Sequence, residues 1–114
     1  MSAARPGAIY RVTVEVAPAV EAEWARWQAE GHIPEVASQP GFIGATLWRD
    51  SEPAPDGWVR YVVHYEAESA AAIEAYRRSE AAVRLRGDHE KRYGAVTRIA
   101  RTVLSAPVSA ARHG

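Results

Sequence analysis

The chain begins with strict alternation of apolar and polar positions. In 8–16, Tyr10, Val12, Val14 and Val16 fall on one side, and Ile9, Arg11, Thr13 and Glu15 on the other. A period of two is that of an extended strand, whose successive side chains point to opposite faces. The period then changes: Val20, Trp24 and Trp27 recur at i, i+4 and i+7, which is one helical face. Pro18 fits a first helical turn, where its missing N–H is not needed. Gly31 and the Ile33-Pro34 pair predict that this helix ends or bends at Gly31-His32, because a proline holds the residue before it out of the α region. A short further turn is expected over 34–38. Pro40-Gly41 is turn punctuation, and alternation resumes in 42–50, with Ile43, Ala45 and Leu47 set against Phe42, Gly44, Thr46 and Trp48.

A loop containing Pro53, Pro55 and Asp56-Gly57 joins this second strand to a third over 58–66. There Val59, Tyr61, Val63 and Tyr65 oppose Trp58, Arg60, Val62, His64 and Glu66. Ser69 is suited to cap a second helix with apolar positions Ala72, Ile73, Tyr76 and Val83. Ser79 interrupts it, and a further helical piece over 80–92 is expected to close on Gly94 as a left-handed residue. A β-branched stretch over 95–104 reads as the fourth strand. The order βαββαβ predicts an α+β, ferredoxin-like fold: a four-stranded antiparallel sheet with its helices on one face. Residues 8–104 form the single domain, with 1–7 and 105–114 as flexible tails.

The Tyr and Val face of the first strand is the natural helix side. Arg11, Thr13, Glu15, Arg60 and His64 then lie on the open side, with Phe42, Trp48 and Trp58 beside them. A face that is half apolar and half charged calls for a cover, and a second copy of the same sheet supplies one, which predicts a homodimer closed into an α/β barrel.

Composition narrows the function. Fourteen basic residues balance fourteen acidic ones, so no net field draws in a phosphate backbone and a nucleic-acid partner is not expected. The chain has no cysteine, which removes thiolate nucleophiles and Cys-ligated metal, and a reducing cytoplasm is the expected location. No apolar run reaches the roughly 20 residues that span a bilayer, so no membrane association is expected. No metal-ligand spacing, phosphate-binding glycine loop or nucleophile elbow occurs. No metal or cofactor is called for.

Trp24 and Trp27, His32-Ile33-Pro34-Glu35-Val36, Gly41-Phe42, then Leu85-Arg86, His89 and Arg92-Tyr93-Gly94 form a set of short motifs along the chain. Together they resemble a bacterial family of unknown function in the dimeric α/β-barrel superfamily, distantly related to antibiotic biosynthesis monooxygenase-like domains. The resemblance covers 8–104 and implies the same fold and a barrel-shaped homodimer. It implies no particular reaction, since that superfamily spans monooxygenases, cyclases, isomerases, haem-degrading enzymes and ligand domains of regulators. No catalytic signature carries over to named positions.

The candidate residues each have two readings. His32, where the first helix is expected to stop, either caps the last carbonyls or transfers a proton at the mouth of a pocket between helices and sheet. Trp24, Trp27, Tyr61, Tyr65 and Tyr76 are either core or the walls of an aromatic site. His64 and Arg60, with Arg11, Thr13 and Glu15 on the neighbouring strand, either fix the register of a dimer or hold and protonate a substrate. Trp48 joins the candidate substrate contacts, and His89 reads as a solvated or capping residue. The expected function is a small cofactor-independent enzyme of the monooxygenase, cyclase or isomerase kind. It would act on an aromatic or enolisable small molecule, with His32 and His64 as the catalytic candidates. The alternative is a non-catalytic dimeric binding or assembly module.

Overall fold

The computed structural model describes residues 5–111. Strand β1 (Ala8–Val16) leads through a short Pro18–Val20 turn into helices α1 (Glu21–Trp27) and α2 (Ile33–Ala37). Then come β2 (Phe42–Arg49), β3 (Val59–Ala67), α3 (Ala70–Arg77), α4 (Glu80–Tyr93) and β4 (Thr97–Ser105). The strands form one four-stranded sheet in the order β2-β3-β1-β4. All three pairings are antiparallel. This is the ferredoxin-like α+β arrangement that the alternating periods predict.

Alternation sorts the two faces as expected. Val59, Tyr61, Val63 and Tyr65 of β3 are buried, while Arg60, Val62, His64 and Glu66 between them are half-buried. Register carries this across the sheet, so that Leu47, Val63, Val12 and Arg101 form one row on the helix side. Two apolar clusters fill the space beneath the helices. One gathers Tyr10, Val63, Tyr65, Ile73 and Leu85, the other Val14, Trp24, Tyr61 and Tyr93.

Four local expectations are corrected. The first helix does not stop at Gly31-His32: it passes through a wide turn over Gln28–His32 and continues as α2, with Ile33 in the α region at φ −62°, ψ −48°. The Ile33 N–H donates to the Gln28 carbonyl, five residues back, and a turn that wide accommodates the Pro34 ring, which would crowd the preceding carbonyls of a tighter helix. Gly94 is not left-handed. It sits at φ −57°, ψ −39° and leads into one more turn before β4, and a β-carbon there would strike the Glu90 carboxylate. Val83 faces solvent, the inward positions of α4 being Ala82, Leu85, His89 and Tyr93. Phe42 lies on the helix side against Tyr65 and Tyr76, because an irregularity in pairing between Phe42 and Gly44 shifts the alternation of β2.

The serine caps form as the sequence predicts. Ser69 Oγ accepts from the Ala72 N–H at 3.1 Å, and Ser79 Oγ from the Ala82 N–H at 3.1 Å, so α3 and α4 each start with one orphan donor satisfied. Ser79 Oγ also donates to the Tyr76 carbonyl at 2.6 Å, tying the end of α3 to the start of α4. No helix of the described residues is long and apolar enough to cross a membrane.

Candidate active site between helices and sheet

A cavity of about 40 Å³ lies between the helix layer and the sheet. Its floor is Tyr10, Val12 and Tyr65, its helix wall is Gln28, His32 and His89, and Arg86 and Arg101 also border it. A more open cleft of about 260 Å³ shares His32 and Leu85 with this cavity and continues outward along Trp27, Glu35 and Asp88.

The wide turn in the first helix places His32. Residues five apart in a regular α-helix differ by about 140° around the axis, whereas a wide turn returns them to nearly the same face. His32 accordingly stacks on Trp27, with ring centroids 4.7 Å apart and planes 23° apart. Helix α4 supplies the second imidazole. His89 follows Leu85 by four residues and precedes Tyr93 by four, all on the buried stripe, and its ring centroid is 6.0 Å from that of His32. His89 is therefore neither solvated nor capping: it is 5% exposed.

Trp24, fully buried, fixes the state of His89. An indole N–H only donates, and Trp24 Nε1 donates to His89 Nε2 at 2.9 Å, so Nε2 is bare. Burial, with smaller contributions from His32 and Arg101, pushes the His89 pKa down to about 4, so the ring is neutral near pH 7 and its single proton resides on Nδ1. That Nδ1 is buried without a partner among the described residues, and so is Gln28 Oε1, the other orphaned polar atom of the helix wall. Such atoms are costly in a finished core and mark a place where water or a ligand completes the bonding.

His32 is also held below the ordinary histidine value. Burial lowers it and Arg101 adds to the effect, while Asp88 and Glu35 pull the other way. A neutral imidazole at the mouth of a cavity can accept a proton. Tyr65 and Tyr76 stay protonated, since burial raises both phenols, that of Tyr76 to about 12.

The structure brings only part of the sequence-derived set together. His32, Tyr65 and Tyr76 line the inner cavity, and Trp27 lines the outer cleft. Trp24 stands behind His89. Tyr61 packs on Trp24 at 5.1 Å between centroids and donates its hydroxyl to Glu21 at 2.8 Å, away from the cavity. Arg49 also donates to Glu21, and these bonds hold that carboxyl below the usual range. His64, Arg60 and Trp48 are on the opposite face of the sheet. His64 stands across from Arg11 and Thr46, and Trp48 is 57% exposed. Arg60 is engaged by Glu15 at 3.0 Å and Asp50 at 3.5 Å. Arg98 on β4 pairs with the same Glu15 and with Asp56, and covers the Trp58 ring at 4.1 Å.

Sequence reasoning missed His89, Gln28 and Arg101 as site residues. The four-residue spacing of Leu85, His89 and Tyr93 is the signal that turns His89 inward. Arg101 is two residues from both Ile99 and Val103, which places it on the helix side of β4.

An antiparallel sheet with all helices on one side and a small polar-edged cavity beneath them defines a ferredoxin-like α+β domain. The chain belongs to the DUF4286 family, a domain of unknown function, which it matches over residues 7–106. No curated protein matches it. Among solved structures it is similar to a putative antibiotic biosynthesis monooxygenase from Deinococcus radiodurans, with TM-score 0.69, 15% identity, and 94% of this chain and 99% of that one covered. It is also similar to SnoaB, a cofactor-independent oxygenase from Streptomyces nogalater, with TM-score 0.61, 20% identity, and 90% and 94% covered. An ethyl tert-butyl ether d (ethd) family protein from Bacillus halodurans matches with TM-score 0.67, 12% identity, and 88% and 99% covered. At these identities the likeness is one of fold.

Proposed function

We propose that this protein is a small enzyme of the cofactor-independent monooxygenase, cyclase or isomerase kind, which takes a proton from an enolisable or aromatic small molecule in the helix-side cavity. The observation that carries the reading is the pair of neutral imidazoles at one recess, one placed to accept a proton and the other with an unpartnered N–H. His32 removes hydrogen from a carbon next to a carbonyl, and His89 Nδ1–H bonds the oxygen on which negative charge develops, the arrangement that stabilises an enolate. Trp27 forms the wall against which a planar ligand lies in the outer cleft. Likeness of fold to a cofactor-independent oxygenase supports this chemistry and does not choose the substrate.

The enzyme works as a homodimer in this reading, its open sheet face covered by a second copy. Four strands at about 4.8 Å spacing and nine residues at about 3.4 Å rise give a face of roughly 600 Å² in projection, close to one partner's share of a standard interface. The ion pairs of Arg60 and Arg98 with Glu15 set the charge pattern of that face, and His64 and Trp48 lie on it as interface rather than catalytic groups.

The test follows deuterium uptake at the central carbon of acetylacetone and other 1,3-diketones by proton NMR. Wild-type protein is expected to accelerate exchange above buffer. His32→Ala is expected to lose about 10²-fold or more of that acceleration, the usual contribution of a positioned general base, with its melting temperature little changed. Equal exchange by the variant, or none above buffer with wild type across the panel, would favour a non-catalytic binding module.

A further inference from the structure

We infer that the inner cavity takes the oxyanion head of its ligand, a carboxylate or an enolate, held between Arg101 and the Nδ1–H of His89. The inference rests on the reading of this cavity as the functional site and names the chemical class that it selects.

Size comes first. A volume of about 40 Å³ has room for about three waters, since each needs about 10–15 Å³ by this measure, or for one group of carboxylate dimensions. An entire aromatic ligand does not fit there, so the inner cavity receives a head group and the outer cleft along Trp27 receives the body. Polarity comes second. The buried orphan His89 Nδ1–H is a donor, because Trp24 has claimed the other ring nitrogen, and a donor requires an acceptor opposite it. Gln28, 3% exposed, presents an amide beside it that meets an acceptor or a donor according to which end it turns.

Charge comes third. Arg101 is the one charged member of the helix-side row Leu47, Val63, Val12, Arg101. The acidic side chains of the adjoining cleft are committed elsewhere: Glu35 and Asp88 both pair with Arg84. Among the described residues no carboxylate pairs with Arg101. Its charge is felt by His32, His89, Tyr65 and Tyr76, the groups that bound the cavity from four elements of the fold. Arg101 is exposed at the border of the recess, and an unpaired guanidinium there beside a wall that carries a buried N–H donor can meet a planar oxyanion as it enters.

The experiment titrates the full-length protein, labelled with ¹⁵N, with sodium benzoate and separately with benzamide, its neutral isostere, and follows the His89 and Arg101 side-chain resonances. Benzoate is expected to shift both saturably, and benzamide at equal concentration to bind at least about tenfold more weakly. Arg101→Gln is expected to weaken benzoate about tenfold, while Arg78→Gln, exposed and outside the cavity, leaves it unchanged. Acetylacetone, titrated above and below its ionisation, separates an enolate preference from a carboxylate preference. Equal affinity for benzamide, indifference to Arg101→Gln, or no saturable shift with benzoate or acetate up to about 50 mM, the weak end for so small a ligand, would overturn the inference. The outcomes separate from those of catalysis. Anion binding without any deuterium exchange keeps this site and rejects the enzyme, whereas exchange with no preference for anions rejects this site alone.

Discussion

His89 concentrates the chemistry of the molecule. In an unfolded chain a histidine titrates near 6.5, and in the fold burial brings this one to about 4. Between those values the unfolded state holds more protons than the folded state, so the stability contributed by neutral His89 is complete above about pH 6.5 and is lost as pH falls towards 4. His32, lowered by burial as well, adds in the same direction. Thermal melts at about pH 7.5 and pH 5 are expected to differ by about 2 kcal/mol on this account, and His89→Gln is expected to flatten the slope. Trp24→Phe removes the donor to Nε2 and part of a fully buried ring, and a loss of about 2–4 kcal/mol in chemical denaturation is expected. None of this was legible from His89 as an isolated polar residue among Asp88, Glu90 and Lys91. It became legible only once Leu85 and Tyr93 were placed on the same stripe.

Helices and strands differ in how openly the sequence announces them. Strands β1 and β3 alternate without a break, so their faces follow directly, and so does the separation of His64 from the helix side. The first helix misleads, because its buried positions Trp24, Gln28, Ile33 and Val36 step by four, five and three. The step of five breaks helical period, and with Gly31 and Pro34 nearby it reads as an end, although the chain absorbs it in one wide turn that carries His32 under Trp27. In β2 a single pairing irregularity turned Phe42 inward, which alternation alone does not foresee. Two glycines give a contrasting prediction. Gly87 lies within α4, where an added β-carbon meets nothing within 4 Å, so Gly87→Ala is expected to stabilise by about 0.5–1 kcal/mol. Gly41 has φ +91°, and a β-carbon there would stand 2.7 Å from that of Ala72, so Gly41→Ala is expected to destabilise by more than Gly87→Ala gains. Urea denaturation of both variants checks the pair.

One sheet divides the molecule into two sides: its helix side encloses a recess with two imidazoles, and its other side carries ion pairs and apolar residues, the face proposed above to meet a second copy. Trp48 is the exposed aromatic of that second side, and Trp48→Glu, which would bury a charge at the interface, is expected to shift light scattering from dimer to monomer. A wild-type monomer at micromolar concentration would contradict the dimer and leave the helix-side cavity as it is. The measurement that bears most directly on the cavity is a long-range ¹H–¹⁵N NMR titration of the four histidines. At pH 7 His89 is expected to carry its proton on Nδ1 with Nε2 bare, and to be still neutral at pH 5. Mixed tautomers and an ordinary titration near 6.5 would count against this, because Trp24 would then not hold the ring and His89 would have no fixed, unpartnered Nδ1–H donor in the cavity wall.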